Sequence, residues 1–471
     1  MQDKGDSTQG KNKKYRYITF IDNVFDFLYT KEKLNTKEGN NMKKQLGLGI
    51  CMLSMLLCAC KARPGAVSEA ANIRQQDQEV PIQLSGTSIL EEMEEEKGID
   101  AGWEYEIDGE HAVILAYRGD KAEVSIPSDM EGYPVTEIYQ MAFYECENAD
   151  NITKIVVPDS VTTIGALAFA SLPSLEEVVL PDNLTQISSA CFSMDTSLKK
   201  VVIPDGVTEI GEEAFSGCDK LIEIEIPPSV REIQANAFAK SGLENTVFHE
   251  GLAEIGSYAF AETNMRNVTF PDSLKIIGYH AFENCPRLKN VALPGSELSL
   301  QGFVFYKCKN LSNIEFNSTR LLTGGYDFAG TDWMDKQWEA EEEFIVVNGT
   351  LLTVRHFEGE IVVPDTVTVI GGQAFVQWTE DGYGIEDNYD ITGIIMPDSV
   401  EYICEDAFVQ LKGVERLAIP KTVQMMEAPQ FNGWEEGQTV VIKPDETVYQ
   451  NWEEQWNNNK KITMIYSEKG E

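Results

Sequence analysis

Short alternations of apolar and polar residues, each closed by a proline, recur along this chain from about residue 103 to residue 444. In the segment LIEIEIP at 221–227 the apolar residues fall on one side, which suits a short strand with one buried face. Pro227 then ends the strand, because proline has no N–H to give a ladder. The same ending returns at Val157-Pro158, Leu180-Pro181, Ile203-Pro204, Phe270-Pro271, Leu293-Pro294, Val363-Pro364, Met396-Pro397 and Ile419-Pro420. A second strand-like piece follows, as in Val207 to Ile210 and Val367 to Ile370, and a glycine after the isoleucine (Gly211, Gly371) is expected to permit a turn. Next comes Ala-Phe or a near variant, expected to open a short helical piece whose ring points inward.

That phenylalanine sets the period. It stands at 143, 169, 192, 215, 238, 260, 282, 305, 375, 408 and 431, and the steps from 169 to 305 are 23, 23, 23, 22, 22 and 23. One unit of this size cannot cover its own apolar face, so neighbours must stack, with strands about 4.8 Å apart. At the usual domain size, 471 residues would give about three domains; the periodicity predicts instead one array of roughly a dozen coils, a rod or shallow arc about 55 Å long. The expected fold class is a β-rich α/β repeat, a solenoid of short strands and short helical turns.

Written as a consensus, the unit is VTxIGxxAFxxCxxLxxVxIPxS, and it resembles the 22-to-23-residue repeat of the BspA-like family of bacterial surface leucine-rich repeat proteins. The likeness covers roughly residues 103 to 444 in about ten copies. The opening also resembles that family's entry segment, with strands at Tyr105 to Ile107 and Ala112 to Tyr117 before Val124 to Pro127 and Gly132 to Val135. Two departures stand out: Thr246 to His249 lacks the proline, and residues 317–361 break the register. The resemblance implies a leucine-rich repeat solenoid that adheres to host matrix proteins or to other cells. The expected role is binding of a protein or glycan on a host or neighbouring cell surface without catalysis or cofactor, with a glycan-binding module or a structural spacer without ligand as the alternatives.

The N-terminal region reads as an address. Residues 42–60 open with Lys43 and Lys44, continue in an apolar run from Leu46 to Leu57, and end in Leu57-Cys58-Ala59-Cys60. The run is too short for comfort as a membrane span, which needs about 20 apolar residues. Its ending resembles a bacterial lipoprotein box, which implies acylation of Cys60 and attachment to a membrane through that lipid. Residues 1–41 lie on the wrong side of such a signal, and Lys37-Glu38-Gly39 can be encoded by a ribosome-binding purine run; Met42 is the expected start. Residues 61–99, with Pro64, Gly65 and an acidic run from Glu91 to Glu96, read as a flexible tether. Beyond it the expected divisions are an entry cap with the first repeat at 100–160, regular repeats at 161–316, a hairpin-like interruption at 317–361, further repeats at 362–444 and a C-terminal cap at 445–471.

Charge narrows the partners. The chain carries 38 Lys and Arg against 77 Asp and Glu, a net charge of -39, and the part after Cys60 holds 28 basic and 71 acidic residues. Such a molecule repels phosphate backbones, so nucleic acid is not an expected partner. Four scattered histidines leave little for a His-based metal site, and no Walker loop, GxGxxG, GxSxG or HExxH occurs.

The remaining chemistry is weighed residue by residue. Cys146, Cys218, Cys285 and Cys308 each follow the repeat phenylalanine by three, which makes them one inward position of buried thiols; a Cys285 to Cys308 disulfide is the alternative. The acidic loop at 380–390 fits no EF-hand spacing, though its carboxylates leave calcium open. Trp333 and Trp338 could stack on sugar rings, but the neighbouring segment 343–354, with Asn348-Gly349 at its centre, reads as a hairpin that needs aromatic cover. Trp452 and Trp456 read as part of a terminal cap. The outward strand positions form the expected binding surface, and its candidates are Lys199, Lys200, Glu223, Glu225, Arg266, Asn267, Lys289 and Asn290, with Trp333 and Trp338 for a glycan.

Overall fold

The computed structural model describes residues 98–466, except 101, 145, 341, 378–385, 444–445, 451, 454–455, 457–458 and 460. The expected export signal with Cys60, the upstream residues 1–41, all but the last two residues of the tether and most of the acidic loop therefore lie outside the described residues.

The chain enters through an antiparallel hairpin, Trp103–Asp108 against His111–Tyr117, and then winds. Each coil adds a strand to two parallel ladders. One runs through Gln186–Ile187, Glu209–Ile210, Glu232–Ile233, Glu254–Ile255, Ile276–Ile277, Glu297–Leu300 and Arg320–Thr323. Its register sets Ile187, Ile210, Ile233, Ile255, Ile277 and Leu300 side by side, so one apolar row faces the interior for the whole run. The second ladder joins Glu123–Ser125, Lys154–Val156, Glu177–Val179 and Lys200–Val201, then resumes at Asn267–Thr269, Asn290–Ala292 and Asn313–Glu315. Between the two parts only the bridge Glu223 to Asn245 remains, beside the repeat that lacks its proline.

The ring column is the spine of the core. Successive centroids from Phe192 to Phe282 lie 5.2 Å apart with near-parallel planes. Above Phe305, Phe328 continues the column at 5.8 Å, so column and ladder both run on inside the segment 317–361 expected to break the register. All these rings are fully buried. The column in the C-terminal coils, Phe375, Phe408 and Phe431, steps at 5.9 and 6.2 Å.

The short helical turns expected around each Ala-Phe are not there. Residues two before and two after the phenylalanine have positive φ, for example Glu213 (+57°) and Gly217 (+72°) about Phe215, and Tyr258 (+57°) and Glu262 (+58°) about Phe260. A left-handed residue every fourth position stops a right-handed helix from propagating. The backbone donors turn outward instead: Glu213, Phe215 and Gly217 give their N–H groups to Ala235, Ala237 and Ala239 of the next coil at 3.0, 2.7 and 2.9 Å. Coil is bound to coil by this turn, and the only α-helices among the described residues are Asp332–Glu339 and Glu446–Tyr449. The glycine after isoleucine also has another cause. A Cβ on Gly211 would lie 2.7 Å from the Ile187 carbonyl oxygen, so the close approach of the preceding coil, not a left-handed φ, favours glycine there.

The hairpin is present as Phe344–Val347 paired with Thr350–Val354, and Asn348 (+49°) and Gly349 (+79°) give its turn two left-handed residues. It also divides the interior: Leu352 belongs to the core of the preceding coils, whereas its neighbour Leu351 joins that of the coils that follow. A small cluster of Leu322, Val369 and Cys404 bridges the two blocks on another side. At the far end, Trp452 and Trp456 pack edge to face at 4.9 Å and are buried in the second core. The six described cysteines are free and buried, Cys285 and Cys308 included. The Cys308 thiol faces the Phe282 carbonyl at 3.0 Å and the Cys285 thiol the Phe260 carbonyl at 3.2 Å.

Candidate ligand-binding face

The second ladder turns one residue of each strand inward and the flanking residues out. In Glu177–Val179, Val178 is buried while Val179 is exposed; in Ile222 to Glu225, Ile224 is buried while Ile222, Glu223 and Glu225 are exposed. The outward residues of successive coils line up because the strands pair in register. Where a strand is paired on both sides, as at Lys154–Val156, Glu177–Val179 and Asn290–Ala292, side chains are what it offers a ligand.

Its charges are paired across coils. Lys199 binds Glu176 at 2.8 Å, and Glu177 takes both Lys154 (2.9 Å) and Lys200 (3.0 Å). Hydrogen bonds from those two ammonium groups hold the Glu177 carboxyl below its usual range. Three coils further on, about 15 Å along the stack, Arg266 and Arg287 share Glu244 at 3.0 and 2.6 Å. Asn267, Asn290 and Asn313 stand opposite one another in the ladder, and the Asn290 amide donates to Asn267 Oδ1 at 2.6 Å.

The sequence candidates thus fall into separate groups. Lys199 and Lys200 lie with glutamates, Glu223 and Glu225 stand exposed, and Arg266, Asn267, Lys289 and Asn290 come together on adjacent strands. Arg287 and Lys309 join that last group from the loops before the strands, a row that reasoning from strand positions alone missed. They border a shallow concavity of about 680 Å³ with Arg266, Lys289, Asn310 and Ser312. Trp333 and Trp338 stand apart on Asp332–Glu339, half-buried against the core: Trp333 packs on Phe316 and Phe328 at 5.2 and 5.4 Å, and Arg355 covers Trp338 at 5.7 Å.

A second polar group lies where the two blocks meet. Tyr279 donates to Glu405 at 3.3 Å, Tyr402 donates to Glu427 at 2.8 Å, and the Glu405 N–H donates to Glu427 at 2.9 Å. Burial pushes the carboxyls of Glu405 and Asp327 up to about 7 and that of Asp406 to about 6. Two shallow concavities on the strand side include none of these acids. Among the described residues, no group of three or more His, Cys, Asp or Glu is placed to hold a metal.

The model of the BspA type leucine rich repeat region matches six copies, over residues 136–263, 231–337 and 385–470. Among solved structures, a leucine-rich repeat protein from Bacteroides ovatus is 18% identical, covering 79% of this chain and 99% of its own, with a TM-score of 0.32. A leucine rich cell surface protein from Faecalibacterium prausnitzii is 20% identical over 75% of this chain and 96% of its own, with a TM-score of 0.34. A leucine-rich repeat protein from Bacteroides capillosus is 33% identical over 32% of this chain and 97% of its own, with a TM-score of 0.23. No curated protein matches. With its family model spanning well over half of its length, the chain belongs to the BspA-type leucine-rich repeat family.

Proposed function

We propose that the chain is an exported surface protein that binds a macromolecule, a protein or glycan of a host or neighbouring cell, through its strand face and does not transform it. A lipid on Cys60 would hold it to the membrane, with residues 61–99 as the tether. The observation that carries the reading is the face itself: strands set in register, with exposed side chains along it that include Val202 at 67% and Ile222 at 57%. Apolar residues that exposed, set among paired charges, suit a contact made of many weak polar interactions and a few anchors. The family's surface setting supports export. A glycan reading built on ring stacking is not favoured, because Trp333 and Trp338 are packed against the core.

The test is to present the purified full chain to immobilised matrix proteins, mucins and oligosaccharides. Saturable binding that weakens when exposed strand-face residues are changed in pairs supports the reading. Binding to nothing in the set, with the fold intact, counts against it. For the anchor, Cys60→Ser is expected to abolish labelling by a fatty-acid probe and release the protein into the medium; unchanged labelling would remove Cys60 from the picture.

A further inference from the structure

We infer that the concavity between Arg266 and Lys309 is a binding site for a sulfated or uronic-acid glycan. The inference rests on the strand-face reading and gives that face a ligand class.

Local charge is the first ground. Residues 264–312 hold six Lys and Arg and three Asp and Glu, in a chain where acids outnumber bases two to one. Of the six, Arg266 and Lys289 stand directly before neighbouring strands, and Arg287 and Lys309 in the loops beside them, so four cations from three successive coils border one concavity of about 680 Å³. Glu244 lies between the two guanidinium groups and fixes both. Asp332, the acid on the rim, is matched by Lys336 at 2.8 Å. The patch therefore keeps a positive excess. At physiological ionic strength fields decay over about 8 Å, so an anion seated here feels these cations more than the distant acidic surface.

The second ground is the kind of anion. The middle strand here, Asn290–Ala292, is already bonded to a neighbour on each side, which denies an acidic peptide main-chain pairing at the centre of the patch. The Asn267, Asn290 and Asn313 row sets amide groups beside the cations, ready for the hydroxyls of a sugar. Duplex DNA, with a charge every 1.7 Å or so of axis, would run on over acidic coils on both sides. A short glycan with sparse sulfate or carboxylate groups touches only the cationic coils.

The experiment uses the full chain, with heparin-derived and hyaluronan oligosaccharides, neutral glycans, a poly-glutamate peptide and a DNA duplex as probes in rising NaCl. One of the anionic glycans is expected to bind and to weaken with salt, and Lys289→Glu with Lys309→Glu is expected to cost about tenfold or more. Lys421→Glu with Lys443→Glu, exposed lysines of the C-terminal coils, should leave that binding unchanged. The milder pair Lys289→Gln and Lys309→Gln, with melting curves for all variants, separates lost binding from lost fold. Glycan binding indifferent to the Lys289 and Lys309 changes overturns the site, as does equal or tighter binding of poly-glutamate or DNA. If matrix proteins still bind the face while no anionic glycan does, this inference falls and the strand-face reading stands.

Discussion

Asp327 accepts the backbone N–H of Val304 from the preceding coil at 3.2 Å, in a position that most coils give to alanine. Its other oxygen is buried without a partner. Burial pushes its carboxyl up to about 7, and Glu405 and Asp406, in the adjoining block, are raised to about 7 and 6 by the same cause. A raised carboxyl holds its proton in the folded state after the unfolded chain has lost it. Stability therefore falls as pH rises from about 4 to about 7, then levels off.

The first prediction follows from that sign. The protein should melt higher at pH 5 than at pH 8, and Asp327→Asn, which keeps an acceptor for Val304 and removes the titration, should flatten the profile by an amount on the order of a few kcal/mol. Calorimetry across pH checks both; a variant with the wild-type slope would clear Asp327 of the effect.

Truncating the ring column should be costly. Phe215→Ala empties a site between Phe192 and Phe238, each 5.2 Å away, and should cost about 3 to 5 kcal/mol by denaturant unfolding. Coils on both sides should gain amide exchange, because each rests on its neighbour. An unchanged unfolding midpoint would contradict the column.

Thr331 caps the helix that carries the two tryptophans. Its Oγ1 accepts the Met334 N–H at 3.1 Å, so Thr331→Ala should cost about 1 kcal/mol. Tryptophan emission should shift to the red as the Trp333 and Trp338 packing loosens; emission that stays fixed would show that the helix holds without its cap.

Thiol labelling reads burial directly. Burial pushes the Cys191, Cys218 and Cys404 thiols up, which removes the reactive thiolate as well as the access. In the native full chain the peptides holding these cysteines should resist iodoacetamide, and in denaturant they should react fully. Rapid native labelling of Cys218 would be the contrary result.

Much of the fold can be read from the residues because stacking repeats one decision many times. The phenylalanine step, the apolar row at Ile210, Ile233 and Ile255, the Asn348-Gly349 turn and the inward cysteines all follow from side-chain type and spacing. The turn around each ring does not. Its left-handed positions hold Glu213, Tyr258 and His280, residues that carry no sign of positive φ, and the conformation is held by donors to the next coil that no single repeat displays. Asp327 was hidden for a related reason, since its variant of Ala-Phe fell in a stretch whose period had seemed to lapse. The strand candidates Arg266 and Lys289 were visible as outward residues. Arg287 and Lys309 were not, because only the folded loop brings them beside the strands, although the local reversal of charge at 264–312 was there to be counted.

The partition at Leu351 and Leu352 bears on how this molecule fails. Fraying that starts at the C-terminal end meets a boundary at the hairpin, where the interior changes hands, and a protease working inward from that end should be checked there. The coils that carry Arg266 and Lys309 lie on the protected side of that firebreak.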